Sequence, residues 1–339
     1  MKTFPARRTL LGCAAALALM GANLAHALDV KERTVKFATQ NPKGHPIVMG
    51  MEKFAELVGS KSGGKIKLTL FPGGVLGGDA QNISALQGGT LDMQVGNAGI
   101  LASQVKEYAV FDLPFMFATS AEADAVVDGP FGKNMLGKLD AKNIHGLAFW
   151  ELGFRNITNS KRPIAKVEDI AGLKLRVIPN AINVDWVTAV GANPTPMAFP
   201  EVYAALEQKA IDGQENPATV VYANKFFEVQ KFFTITNHQY NPQVVIVSKK
   251  LWDSLSADEK KIFSDAAAES AVYERQQSRK QAVEALDNLK KAGMQVNELS
   301  AAEVGKFREK LKPVFDKHAA IVGADVVTSM QAEINKVRK

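Results

Sequence analysis

Cysteine is almost missing from this chain. One occurs in 339 residues, Cys13, and it falls in a stretch that reads as a cleavable leader. The mature chain therefore has no disulfide, no thiolate nucleophile and no cysteine ligand for a metal. Histidine is sparse too, at five residues, with no HExxH or other metal-ligand spacing, so zinc is not expected and no cofactor is. There is no GxSxG elbow for a serine nucleophile. Gly132 to Lys138, GKNMLGK, starts like a phosphate-binding P-loop, but Leu139 stands where a Ser or Thr should hold magnesium. Beyond the leader no apolar run is long enough to span a bilayer. No basic run with interleaved aromatics points to nucleic acid. Glu151 and Asp79 could work as acid and base only if the fold brought them together, which no spacing shows. Internal repeats and low-complexity segments are absent as well.

What is present begins with residues 1–27. Lys2, Arg7 and Arg8 form a basic segment, Leu10 to Met20 an apolar one, and Ala25-His26-Ala27 a cleavage site. This is the pattern of a secretory signal peptide, so the mature chain is expected to start at Leu28 in the periplasm. Arg7-Arg8 admits a twin-arginine export route. Leu11-Gly12-Cys13 resembles a lipobox but lacks the apolar stretch before it, so lipidation is not expected. The leader carries three basic and no acidic residues, and its loss takes the formal charge from +6 to +3. A modest positive balance suits the gathering of anions.

The mature chain alternates between two hydrophobic periods. Residues 33–39 and 65–71 read as strands around a helix carrying Met51, Phe54 and Val58, which opens an α/β domain. A strand near 93–97 places Asn97 at its end, where ligands bind in open α/β sheets. Residues 145–151 read as a strand running into Arg155. Residues 231–239 and 243–248 read as two strands joined by a loop, His238 to Pro242. Ser256-Ala257-Asp258-Glu259 is a capping box opening a helix that meets no Pro or Gly before Gly293. At about 1.5 Å per residue such a helix spans about 50 Å. That is too long for one small domain, and without a heptad it should pack across two.

Residues 172–217 carry the strongest functional signal. Leu173, Leu175 and Val177 alternate with Lys174 and Arg176, a strand whose end presents Arg176. Asn180 then caps a helix. A planar guanidinium beside a helix N-terminus suits a carboxylate, although a surface arginine on an edge strand would read the same way. Gln214, Glu215 and Asn216 follow an Asp212-Gly213 turn and could add hydrogen bonds.

Taken together, SGGKIKLTLFPGGVLG, GTLDM, GFRNITNSKRPI, DIAGLKLRVIPN, GANPTPMAFPEVYAALEQKAIDGQENP and TNHQYN resemble the solute-binding proteins of TRAP (tripartite ATP-independent periplasmic) transporters over essentially the whole mature chain. The resemblance implies an α/β, two-lobed flytrap fold with a long helix spanning both lobes. Lobe 1 would comprise 28–152, completed by about 241–275, and lobe 2 would comprise 153–240, completed by about 276–339. It implies that Arg176 pairs with the solute carboxylate, assisted by Asn216, with Arg155 in the pocket. Similarity to the sialic-acid-binding branch adds Gln40, Asp79, Asn97, Asn180 and Phe199, with His238 and Asn241 at the crossing between lobes. Gln40 and Asn97 depart from that branch, which has Asn and Glu there, and this puts sialic acid in doubt. The expected role is capture and delivery to membrane subunits without chemistry. Neutral amides plus one carboxylate suit hydroxyl groups, and Trp150 and Phe199 could lie against a sugar ring. A hexuronate such as glucuronate or galacturonate is therefore favoured. A C4-dicarboxylate is the alternative, with Arg155 taking the second carboxyl; a periplasmic sugar-acid enzyme and a partner of a sensor kinase are rival classes.

Overall fold

The computed structural model describes residues 28–338; the segment read as a leader, with the expected cleavage site and export route, lies outside them. β1 (Arg33–Ala38), α1 (Pro46–Lys61), β2 (Ile66–Phe71), α2 (Asp79–Gln87) and β3 (Met93–Asn97) form a first α/β unit, with β1 parallel to both β2 and β3. Short 3-10 turns at 98–103 and 106–112 lead to α3 (Ser120–Asp128) and α4 (Pro130–Gly137), so the GKNMLGK segment is mostly helix rather than a phosphate loop. β4 (Ile144–Asn159) leaves this unit for a second one, made of β5 (Lys174–Val177), α5 (Ala181–Ala189), β6 (Asn193–Pro196), α6 (Val202–Glu207), β7 (Gly213–Asn216) and α7 (Ala218–Ala223). β8 (Phe232–Ser248) returns to the first unit. α8 (Lys249–Ser254), α9 (Ala257–Lys291), β9 (Gln295–Glu298), α10 (Ala301–Val322) and α11 (Ala324–Asn335) close the chain. None of these helices is long and apolar enough to cross a membrane.

Among the described residues nine strands make one sheet, in the order β2-β1-β3-β8-β4-β7-β5-β6 with β9 beside β8. The antiparallel pair β4 and β8 is thus common to both lobes. Here the structure corrects two sequence expectations. β4 continues past Glu151 to Asn159, and β8 is a single strand of 17 residues, with His238 to Pro242 inside it rather than in a loop. Pro242 cannot donate to a ladder, and in a sheet interior it is tolerated at a bulge. The register shows that bulge: Pro242 faces Glu151, Asn241 faces Gly153, and Leu152 is the extra residue. Gly153 adopts φ 109°, a conformation that favours glycine.

α9 runs for 35 residues and begins at the expected capping box, with Ser256 accepting from the Glu259 N–H and Glu259 accepting from the Ser256 N–H. It packs on α1 and β4 and, further along, on α7 and β9, so it lies against both units. Its contact with α1 is close because Gly50 has no side chain; a Cβ there would stand 2.8 Å from Glu274 Cγ. α11 packs on α3 and α4 while α10 packs on α5, so the closing helices also touch both halves.

Candidate functional site

Parallel β1 and β3 on one side, and β5 and β7 on the other, end around one cavity. Its volume is about 120 Å³. Gln40 follows β1, Asp79 opens α2 and Asn97 ends β3. Across from them stand Arg155 of β4, Arg176 of β5, Phe199 of the turn before α6, and Asn216 at the end of β7. The two sides also approach each other outside the lining, where a Cβ on Gly74 would lie 3.0 Å from Pro200 Cγ.

Arg176 is 3 % exposed and is held from behind. Its Nε and Nη2 both donate to the Met197 carbonyl, at 3.0 and 2.8 Å, and its guanidinium lies 5.7 Å from the centre of the Phe199 ring. Among the described residues Nη1 has no hydrogen-bond partner, so donor capacity remains on a cation that lines the cavity. Burial lowers its pKa to about 10, partly offset by Glu215 and Asp79, and it stays charged at neutral pH.

Arg155 is committed differently. Its Nε donates to Glu215 Oε2, Nη2 donates to Glu215 Oε1 at 2.7 Å, and Nη1 donates to Asn241 Oδ1 at 3.3 Å. Burial works against the charge of Glu215, but Arg155 and then His238 outweigh it and hold the carboxyl at about 2. Glu215 thus consumes most of the cation that the dicarboxylate alternative required.

The opposite wall is rich in acceptors. Asp79 accepts from Gln40 Nε2 (3.0 Å), Gln94 Nε2 (2.9 Å) and the Asn97 N–H (2.9 Å). Gly96 permits this approach, since a Cβ there would stand 2.8 Å from Asp79 Oδ1. Asn97 spends its Oδ1 on the Gly99 N–H and donates through Nδ2 to Asn241. Asn216 donates to Gln214 Oε1, the head of a chain running through Thr158 to Gln230.

Three of the ten residues singled out in the sequence do not line the cavity. Asn180 caps α5 through the Asn183 N–H at 3.0 Å and donates to Asp112, so both ends of its amide are used. His238 is fully buried, shares a 2.8 Å hydrogen bond with Thr236, and lies 3.5 Å from Glu215, at the outer limit of a hydrogen bond. Asn241 stands behind the lining, between Asn97, Arg155 and Gln243. Trp150 does not lie against the cavity; it is core, 6.4 Å from the Phe37 ring. His45 is a buried N-cap of α1, its pKa lowered to about 3 by burial. Glu151 is held by Arg279 and Tyr240 and shares no partner with Asp79.

Sequence reasoning missed Gln243, which lines the cavity, and Asp112, which gathers Asn180, Asn183 and Gln239 beneath it. A polar residue opening the apolar run QVVIVS was the available signal for Gln243; nothing local marks Asp112. Burial pushes Asp79 up to about 6 and Asp112 to about 7, against the pull of Arg155 in the case of Asp112. Both therefore bind protons more tightly folded than unfolded. The stability they contribute is full below about pH 4 and is lost as pH rises through 6 and 7. Carboxyl-carbon NMR of the solute-free protein should show two aspartates titrating near those values. Midpoints for both below 4.5 would show that the site is wetter than this packing allows.

A profile of the bacterial extracellular solute-binding proteins, family 7, matches residues 37–321. A solved TRAP periplasmic solute-binding protein from Ochrobactrum anthropi, its C-terminus bound in its ligand-binding pocket, is 52 % identical with a TM-score of 0.81, over 91 % of this chain and 96 % of that one. The sugar acid binding protein of Advenella mimigardefordensis, in complex with galactonate, is 41 % identical with a TM-score of 0.90, over 91 % and 100 %. The C4-dicarboxylate-binding periplasmic protein of Rhodobacter capsulatus is 36 % identical over 94 % of this chain and 95 % of its own. The family profile and the solved relatives agree with the two-lobed α/β fold, and the chain belongs to the family 7 solute-binding proteins of TRAP transporters.

Proposed function

We propose that this protein captures a sugar acid in the periplasm and hands it to the membrane subunits of its transporter. The observation that carries the reading is the asymmetry of the two arginines. Arg176 keeps guanidinium donors for one carboxylate, while Arg155 is spent on Glu215. Away from Arg176 the wall offers the Asp79 carboxylate and the Gln40 and Gln243 amides. The Asp79 carboxylate and the amide oxygens take hydroxyl hydrogens, and the charge of Asp79 repels a second carboxylate. A hexuronate such as glucuronate or galacturonate fits that description. The galactonate of the Advenella protein adds open-chain aldonic acids to it. The dicarboxylate reading keeps support from the Rhodobacter relative, but it needs a second free cation.

A thermal-shift screen tests the choice, because a ligand that binds only the folded state raises the melting temperature by mass action. Galactonate, glucuronate and galacturonate should shift the melt, and succinate and malate should shift it much less. A larger shift with the dicarboxylates would reverse the assignment. Gene neighbours encoding the membrane subunits would support the delivery role over service to a sensor kinase.

A further inference from the structure

We infer that Gln243 determines specificity: its side-chain carbonyl is a fixed acceptor that demands a hydroxyl hydrogen from the solute, and Arg155 and Asn241 set its orientation. The inference rests on the sugar-acid reading above and goes beyond it by naming the group that reads the solute's hydroxyl pattern.

The orientation follows from donor counting. A guanidinium can only donate. Arg155 Nη1 lies 3.3 Å from the Asn241 amide, so Asn241 must turn its oxygen toward Arg155. That same oxygen faces Asn97 at 2.5 Å and Gln243 at 3.5 Å, so both neighbours must offer it their NH2 groups. Reversing Gln243 would set carbonyl against carbonyl. Its Oε1 is therefore turned away from Asn241. It is buried and has no hydrogen-bond partner among the described residues, on a side chain that is 1 % exposed and lines the cavity. Arg155 cannot swing to relax the arrangement, because Glu215 grips its Nε and Nη2. Asn97 cannot reverse its amide either, since its Oδ1 accepts from the Gly99 N–H.

A buried acceptor without a partner is costly, and a solute hydroxyl placed there relieves the cost. A solute lacking that hydroxyl leaves it unrelieved, and a carboxylate oxygen would be repelled. Asn241, behind the lining, is then a positioning residue, and Arg155, although it lines the cavity, helps through Asn241 to fix the direction of the Gln243 amide.

The test is calorimetry with D-galactonate, D-glucuronate and their singly deoxygenated analogues, on the wild type and on Gln243→Leu. Wild type should lose roughly 10- to 100-fold in affinity on removal of one particular hydroxyl. Gln243→Leu should bind that analogue and its parent almost equally while still distinguishing the others as wild type does. If Gln243→Leu fails to fold, judged by circular dichroism, Gln243→Met takes its place. The inference is overturned if the variant keeps the wild-type preference at every hydroxyl. It is also overturned if wild type tolerates the loss of each hydroxyl within about threefold, well inside the cost of an unmet buried acceptor. Failure of wild type to bind any sugar acid would overturn the reading of the previous section and this one with it, and is told apart by the parent compounds alone.

Discussion

Arg176→Lys is expected to weaken solute binding by roughly 2–5 kcal/mol, the cost of breaking a desolvated charge pair, while leaving the fold intact. At about 1.4 kcal/mol per decade this is a loss of some thirtyfold to several thousandfold in calorimetry. The charge survives the change, so the loss would come from geometry. Arginine does two jobs here at once: Nε and Nη2 anchor to the Met197 carbonyl while the rest of the fork serves the cavity. A lysine ammonium is a single strongly hydrated point and cannot anchor behind and present a planar pair in front. It would also lose part of the packing on Phe199. An unchanged dissociation constant for the preferred solute would remove Arg176 from the role proposed for it, and with it the account of how the carboxylate is held.

Glu215→Gln should have the largest effect on stability. The pair it forms with Arg155 is almost solvent-free, with side-chain exposures of 0 % and 1 %. Neutralising one member leaves the other charge buried without compensation, at a cost of about 3–5 kcal/mol. Denaturant unfolding at pH 7 should show a loss of this size. The pH dependence has a definite sign. The folded pKa of Glu215 is depressed to about 2 from an ordinary 4.5, so its contribution is complete above pH 4.5 and is withdrawn as pH falls toward 2. The gap between wild type and variant should therefore narrow in acid, opposite to the trend of Asp79 and Asp112. A variant as stable as wild type at pH 7 would mean that the pair is solvated and that Arg155 is free for a ligand after all. It would also release Asn241, and with it the orientation of Gln243.

These two arginines mark the line between what could be read from the chain and what could not. Arg176 is legible because its setting is local: three apolar residues at a period of two, a proline, then an Asn that caps the next helix in the structure as its position implies. The capping box at Ser256 and the stop at Gly293 are legible for the same reason, and they delimit α9 to within a residue or two. Arg155 also follows an apolar strand, and nothing near it announces a carboxylate 60 residues away on β7. The break expected around Pro242 was a sound local inference. It failed because the partner strand supplied a bulge at that point. Trp150 and His238 were ambiguous for a similar reason, since burial on a strand shared by two lobes depends on what packs from both sides.

Periodicity and caps are properties of residues adjacent along the chain, so the α/β class, the long helix and the strand-end position of Arg176 are legible in the sequence. Which cation is already neutralised, and which buried amide oxygen is left without a partner, depends on contacts between β3, β4, β7 and β8. Charge balance and donor–acceptor matching act through space between remote segments, and folding is what brings those segments within hydrogen-bond range.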